Sequence, residues 1–471
     1  MPEAAVEIRI GEANQMTITN IISAIGNTSS VYPLILRDCG VEIPSKVYLT
    51  YKENKDDKDV AFLATRERIL DEYATSAVWL GGIPLVERLV NKFVIEKKGF
   101  NPNVNLKLFK ESDCQGIDYN IKYFEEKLSK GEISKEAVEE VKSAIADLKK
   151  VKNNKGAYEK LLSSKFIAAT VIPIALMGFV IPKLVFRLTA KTKAAKKAKA
   201  EQKTQLNNAP KFSTPPFTSL KSDVFTPFSL KNSKNPAFTG NFSSTVANFT
   251  TYEKMAAIDG GYAVGRVATS RKKNEAVDIG FKMLGMMFLN FVAPKYIEKI
   301  LDSAANKALN LDVKLDPLML EDKELLKMIS DKKLAENLPS SNDGKSLLKF
   351  IDENPKAMFT KYAAKFEKVS LLKDGTRDPR AFIDIEELAK FKKSIEEFGN
   401  KALSIAAKDG DLKAIEKEVQ KFAKKAKIVK SLNILTNVGL SSFLLAYCLP
   451  KVQYAFREWY TGSKLEPGIV D

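Results

Sequence analysis

The sequence predicts a mainly α-helical chain, in which helical hairpins flank apolar helices of the kind that insert into membranes. Three observations carry this reading. Apolar residues between 384 and 430 recur at alternating steps of three and four, the period of a single helix face. Four stretches, Thr75–Phe93, Phe166–Arg187, Ile279–Leu301 and Leu432–Trp459, each hold an apolar run that ends at a proline and then continues with apolar and charged residues. Between them, residues 206–250 are dominated by Pro, Ser, Thr, Asn and Phe, a composition that predicts a disordered linker.

Composition bounds the chemistry. A chain of 471 residues allows two to four compact units. It carries 75 basic and 58 acidic residues, a net charge of +17. Such a balance suits an anionic partner, a lipid surface or a nucleic acid, although lysine runs also serve as plain solvated helix faces. Histidine is absent, which excludes Ser-His triads and histidine-ligated zinc. Cys39, Cys114 and Cys448 are scattered; they form neither a disulfide framework nor a CxxC site and fit a reducing compartment. The opening residues hold no basic-then-apolar leader, so no cleaved secretory signal is expected.

Residues 1–60 read as a small mixed α/β region. Val6–Ile10, Val31–Leu36 and Lys46–Tyr51 are candidate strands, and Met16–Ile25 a short helix. Residues 61–205 read as helical, with apolar segments at 77–93 and 166–187. The apolar core of the first is about ten residues, half what a bilayer needs, and predicts a buried or re-entrant helix. Residues 117–150 form a helical hairpin with its turn at Lys130-Gly131; Val138, Val141, Ile145 and Leu148 share one face. Phe166–Phe186 holds a single charge, Lys183, and is long enough to span about 30 Å. The lysines that follow include Lys191, Lys193, Lys196, Lys197 and Lys199; beside an apolar span they predict contact with anionic headgroups.

After the 206–250 linker, residues 251–301 return to helix, with an apolar segment at 279–300. The glycine-dense Gly260–Gly265 predicts a tight helix–helix contact or a turn rather than a phosphate loop. Residues 302–383 read as a soluble piece with short helices at Glu321–Leu334 and Lys345–Asp352. Residues 384–459 pair a hairpin, turning at Asp409-Gly410-Asp411, with the apolar segment 432–455. Lys421, Lys424, Lys425 and Lys427 precede that segment and form a second candidate contact with anionic lipid. Residues 460–471 read as a flexible tail.

The proline junctions predict membrane boundaries at Pro182 and Lys183, Pro294 and Lys295, and Pro450 and Lys451. There a bend and a snorkelling ammonium suit the interface. The order of hairpin, basic run, apolar segment and Pro-Lys occurs twice, at 117–187 and 384–457.

No catalytic constellation emerges. Asp374–Asp378 has the wording of an aspartyl phosphotransferase loop, but Leu372 stands where the essential partner belongs, so it reads as a solvent loop. Asp56–Asp59 lacks the glycine and distal glutamate of a calcium loop and reads as a charged turn. The expectation is a non-enzymatic, membrane-associated structural or interaction protein with no cofactor and no metal, its bulk facing the cytoplasm. Anionic lipid is the expected partner, and the 206–250 linker is a docking candidate for a protein. The alternatives are a soluble all-helical protein that binds a partner or an anionic surface through its lysine faces, and a nucleic-acid-binding protein. The second is disfavoured, because arginine is sparse in the basic runs and no groove-reading motif is present.

Overall fold

The computed structural model describes residues 18–26, 35–110, 112–208, 251–310, 314–406 and 412–470. Among these the fold is helical, and the sole β pairing is an isolated bridge between Leu371 and Arg377. Helix α1 is Ile18–Gly26. Helix α2 (Ile43–Glu53) follows a π-turn at Leu36–Glu42, and α3 is Lys58–Ala77. A π-turn at Val78–Gly82 leads into α4 (Ile83–Val90). Helices α5 (Ile117–Ser129) and α6 (Val138–Asn153) form the first hairpin. Helix α7 (Lys155–Ala175) passes through a π-turn at Leu176–Val180 into α8 (Ile181–Asn208). Then come α9 (Thr251–Ala268), α10 (Lys273–Phe291) and α11 (Ala293–Leu309). Four short helices follow: α12 (Pro317–Leu320), α13 (Lys323–Ser330), α14 (Gly344–Glu353) and α15 (Met358–Lys365). The second hairpin is α16 (Ile385–Ala406) with α17 (Leu412–Phe443). A π-turn at Leu444–Cys448 joins α17 to α18 (Leu449–Thr461), and α19 is Pro467–Val470.

The elements sort into a head and a bundle. The head is built from residues 95–161 and 309–429, which supply its apolar clusters. Both hairpins lie there. Val141, Ile145 and Leu148 are buried on α6, and Leu388, Ile395, Phe398 and Ala402 on α16 face Ile415, Val419, Phe422 and Ala426 on α17. The turn of the second hairpin lies outside the described residues. The two halves of the head are latched by polar groups. Gln115 exchanges two hydrogen bonds with the backbone of Ile383, at 2.6 and 3.0 Å, and Asn120 donates to the carbonyl of Pro379 at 2.8 Å.

The bundle gathers α2, α3, α4, α7–α8, α9, α10–α11 and α17–α18. Three helical stretches, Lys155–Lys199, Lys273–Ala304 and Leu412–Thr461, are long and apolar enough to cross a membrane. The glycine-dense stretch makes the tight contact that its composition predicts. Gly261 lies against Ile174, and Gly265 and Gly178 bring two backbones together, so that a Cβ on Gly265 would sit 2.9 Å from the Cα of Gly178. This is the small-xxx-small geometry of closely crossing helices. With Arg271 stacked 4.1 Å over Phe186, the sequence of contacts shows that α9 runs parallel to α7–α8.

The prolines do not end their helices. The N–H of the residue before each proline reaches back five residues: Ile43 to Asp38, Ile83 to Val78, Ile181 to Leu176 and Leu449 to Leu444. Proline has no N–H and its ring crowds the carbonyl four residues earlier. A π-turn relieves both problems while the rod continues. At Pro182 the freed carbonyl is that of Gly178, and Thr269 Oγ1 lies 3.0 Å from it. The third junction is different, since α10 breaks at Val292 before Pro294.

Several expectations need correction. Lys46–Tyr51 is helix α2, not strand. Ile43, Lys46, Leu49 and Thr50 are its buried residues, a helical spacing that overrides the β-preference of its Val and Tyr residues. The Val6–Ile10 strand and the 209–250 part of the linker lie outside the described residues, whereas 206–208 belong to α8. Residues 77–93 are not a buried helix: none of Val78–Gly82 or Ile83–Val90 is buried. Asp374–Asp378 is not a plain solvent loop, because Arg377 within it is 1 % exposed and forks onto Asp352 at 3.2 Å. The charged turn at 56–59 is a helix cap: Asp57 accepts from the N–H groups of Asp59 and Val60.

Gly265→Val is expected to cost about 1–3 kcal/mol through overpacking of the Gly178 crossing. The check is a thermal or denaturant melt against the parent. Gly131→Val, facing open space at a positive φ in an exposed turn, serves as a control whose loss comes from backbone strain alone.

Candidate functional site

The bundle buries paired charges beside a small apolar cluster of Met177, Ile258, Tyr262, Ile279 and Met283, and exposes many large apolar side chains. Helix α3 supplies four charges to the interior, Glu67, Arg68, Asp71 and Glu72, on one broad face. Glu72 is the hub. It meets Lys282 of α10 at 2.8 Å, Arg68 at 3.1 Å and Lys46 of α2 at 3.5 Å, and Lys46 also binds Glu42. Arg266 of α9 forks onto Asp71 with two bonds of 2.7 Å. Arg271 forks onto Glu67 at 2.9 and 3.0 Å and binds Glu275 at 2.6 Å.

A second knot lies between α10, α18 and the C-terminal residues. Arg457 has no exposed surface. Its guanidinium donates to both oxygens of Asp278, at 3.0 and 2.8 Å, and to Glu466 at 2.7 Å. Gln453 adds a bond of 2.7 Å to Asp278. Each charge has an opposite partner, as burial in a low-dielectric interior requires.

Beside the Glu72 hub is a cavity of about 190 Å³. Lys46, Glu72 and Arg37 line its polar side, and Trp79, Tyr262, Met283, Met286 and Leu445 its apolar side. Asp259 of α9 also faces it. The hydrogen bond that Asp259 accepts comes from a neutral donor, Trp79 Nε1, at 3.2 Å. Among the described residues no cation lies within ion-pair distance of this carboxylate. Among the described residues no group of three or more Cys, Asp or Glu could hold a metal ion.

Outside, the apolar side chains face away from the bundle. Val171, Phe179, Leu184 and Leu188 are exposed along α7–α8, Leu284, Phe288 and Ile300 along α10–α11, and Leu432, Phe443, Val452 and Trp459 along α17–α18. Of the most apolar windows of these rods, 39 %, 22 % and 22 % is buried. From Val171 to Leu188 the belt is about 26 Å tall at the ordinary helical rise, close to the thickness of a hydrocarbon layer.

The candidate residues named from sequence fall around this belt. Pro182 and Pro450 are buried within their rods, with exposed apolar residues on both sides of each junction; the belt also continues past Pro294 to Tyr296 and Ile300. Lys183 is exposed, and Lys451 binds Glu53 of α2. Lys191, Lys197 and Lys199 are exposed on α8 beyond the belt; Lys193 donates to the carbonyl of Ile469 at 3.0 Å and Lys196 binds Asp59 at 2.8 Å. Lys421, Lys424 and Lys425 are exposed at the head end of α17, and Lys427 binds Glu321 at 2.6 Å. The two lysine groups thus stand at opposite ends of the bundle. The interior charges were not singled out from sequence. Their one local signal is that α3 is charged on two adjacent ridges while its neighbours in the chain are apolar.

Neither a family model, nor a curated protein, nor a solved structure matches this chain.

One outcome follows from this geometry. Arg457→Met leaves Asp278 buried without its cation and Glu466 with only Arg68, at 3.9 Å, and is expected to cost about 3–5 kcal/mol; adding Asp278→Asn should restore part of the loss in the same denaturant melt.

Proposed function

We propose that this chain is a non-enzymatic, membrane-associated structural or interaction protein. The apolar belt sits in lipid, and the helical head stands in water on the cytoplasmic side. One observation carries the reading: the bundle buries paired charges while many of its large apolar side chains face outward. A soluble bundle places those groups the other way round, and an exposed apolar surface of this extent marks a membrane or a partner. Intramembrane charges paired within the bundle are the arrangement lipid demands. The lysines of α17 where it leaves the head favour the cytoplasm for that end.

A soluble reading, in which other protein covers the belt, has its own supporting observation. The chain leaves α8 at Asn208, beyond the belt, and enters α9 at Thr251, near the head-side Lys165, which lies close to Lys254. Because α7–α8 and α9 are parallel, those two points lie at opposite ends of the belt, and the sequence between them, residues 209–250, holds no run near the ~20 apolar residues of a spanning helix.

Membranes from cells expressing the full chain decide between the two. Retention in the pellet after high salt and then alkaline carbonate is the expected result. Release by carbonate sinks the inserted reading and leaves the soluble one; release by salt alone shows a lysine-mediated surface contact. Phe443→Asp, which puts a charge on the belt but touches none of the interior pairs, should reduce the pellet fraction several-fold if the belt faces lipid.

A further inference from the structure

We propose that the cavity between α3, α9 and α10 is a binding site for a small organic cation, an ammonium group on a compact hydrocarbon body. The one carboxylate on the cavity wall without an ion-pair partner among the described residues selects the sign. Asp38 on its wall is neutralised by Arg37 at 2.8 Å. Glu42 is neutralised by Lys46, and Glu72 by Lys46, Arg68 and Lys282. Asp259 is the carboxylate left over, held by a neutral indole N–H at 3.2 Å. An anion there would meet a carboxylate that has no direct ion-pair partner, and a neutral guest would leave it unpaired, whereas an ammonium pairs with it.

The remaining wall selects the body of the guest. Trp79 and Tyr262 offer aromatic rings to a cation and its adjacent carbons. Met255, Met283, Met286 and Met287 offer thioethers that adapt to irregular apolar shapes. A volume of about 190 Å³ is below the ~300–1,000 Å³ of drug-sized sites, so the guest is an amine of roughly ten heavy atoms or fewer. A bare metal ion does not fit the wall, since the described residues bring no three Cys, Asp or Glu side chains together.

The test uses the full chain purified in detergent. The sequence has two tryptophans, so a Trp459→Phe background makes Trp79 the reporter. Benzylammonium should change Trp79 fluorescence saturably at pH 7.5. Benzyl alcohol, nearly the same shape without the charge, should bind about ten-fold or more weakly. Asp259→Asn, which keeps an acceptor for Trp79, should lose benzylammonium by a similar factor. Asp38→Asn, on the same wall but already paired, should stay within about two-fold of the parent. Equal affinity for the alcohol, or full affinity in Asp259→Asn, overturns the proposal, as does the absence of a saturable response in the parent. Should Asp259→Asn fail to fold, Met286→Phe answers in its place: it keeps the carboxylate, narrows the cavity and should abolish the response, and a retained response would place benzylammonium elsewhere.

Discussion

A buried charge must find its partner, and in this bundle that requirement fixes how the helices sit. Glu72 draws α2, α3 and α10 to one point, and Arg457 ties α18 to α10 and to the C-terminal residues. Since many apolar side chains face outward and the buried apolar cluster of Met177, Ile258, Tyr262, Ile279 and Met283 is small, burial of apolar surface contributes less to association of these rods than it does in the head. What holds them is directional: forked ion pairs, close backbone approach at Gly178 and Gly265, and the packing of Gly285 against Leu449. Ion pairs of this kind add little net stability over apolar substitutes, but removing one member is costly. Their consequence is register. Sliding α10 by one turn would take Asp278 from Arg457 and Lys282 from Glu72 together.

The π-turns belong to the same constraint. A helix bent or broken at each proline would misalign the ion pairs above and below it. By passing Pro84, Pro182 and Pro450 through a five-residue hydrogen bond, three rods stay continuous from the head to the far end. Each such turn inserts one residue and rotates the faces beyond it. Near Pro182 the π-turn also brings Gly178 to Gly265 and presents its freed carbonyl to Thr269.

What was legible in the sequence is what depends on local period. The stripe Leu388, Ile395, Phe398 and Ala402 announces its helix face because burial repeats every three or four residues. The short helices at 323–330 and 344–353 show for the same reason. The proline junctions were visible as punctuation, but proline alone does not say whether a rod stops or takes a π-turn. The interior charges were illegible for a different reason. Asp71 and Arg266 are 195 residues apart, and Asp278 and Arg457 are 179 apart; no window of sequence holds both partners. On its own α3 looks like a solvated charged helix, and Arg377 looks like a loop residue until Asp352 is seen beneath it.

The direction of the rods sharpens what the outer surface can be. Both α7–α8 and α17–α18 start in the head and run away from it. The lysines follow the apolar stretch in one and precede it in the other, so Lys191–Lys199 and Lys421–Lys427 flank the belt from opposite sides. A single anionic surface cannot touch both groups. In a bilayer, one group meets the cytoplasmic leaflet and the other has to be tolerated across it, partly offset by Asp59 and the Ile469 carbonyl. The parallel course of α9 adds a second constraint: the end of α8 and the start of α9 lie at opposite ends of the belt. Both constraints come from chain direction rather than from composition, which is why hydropathy alone does not show them.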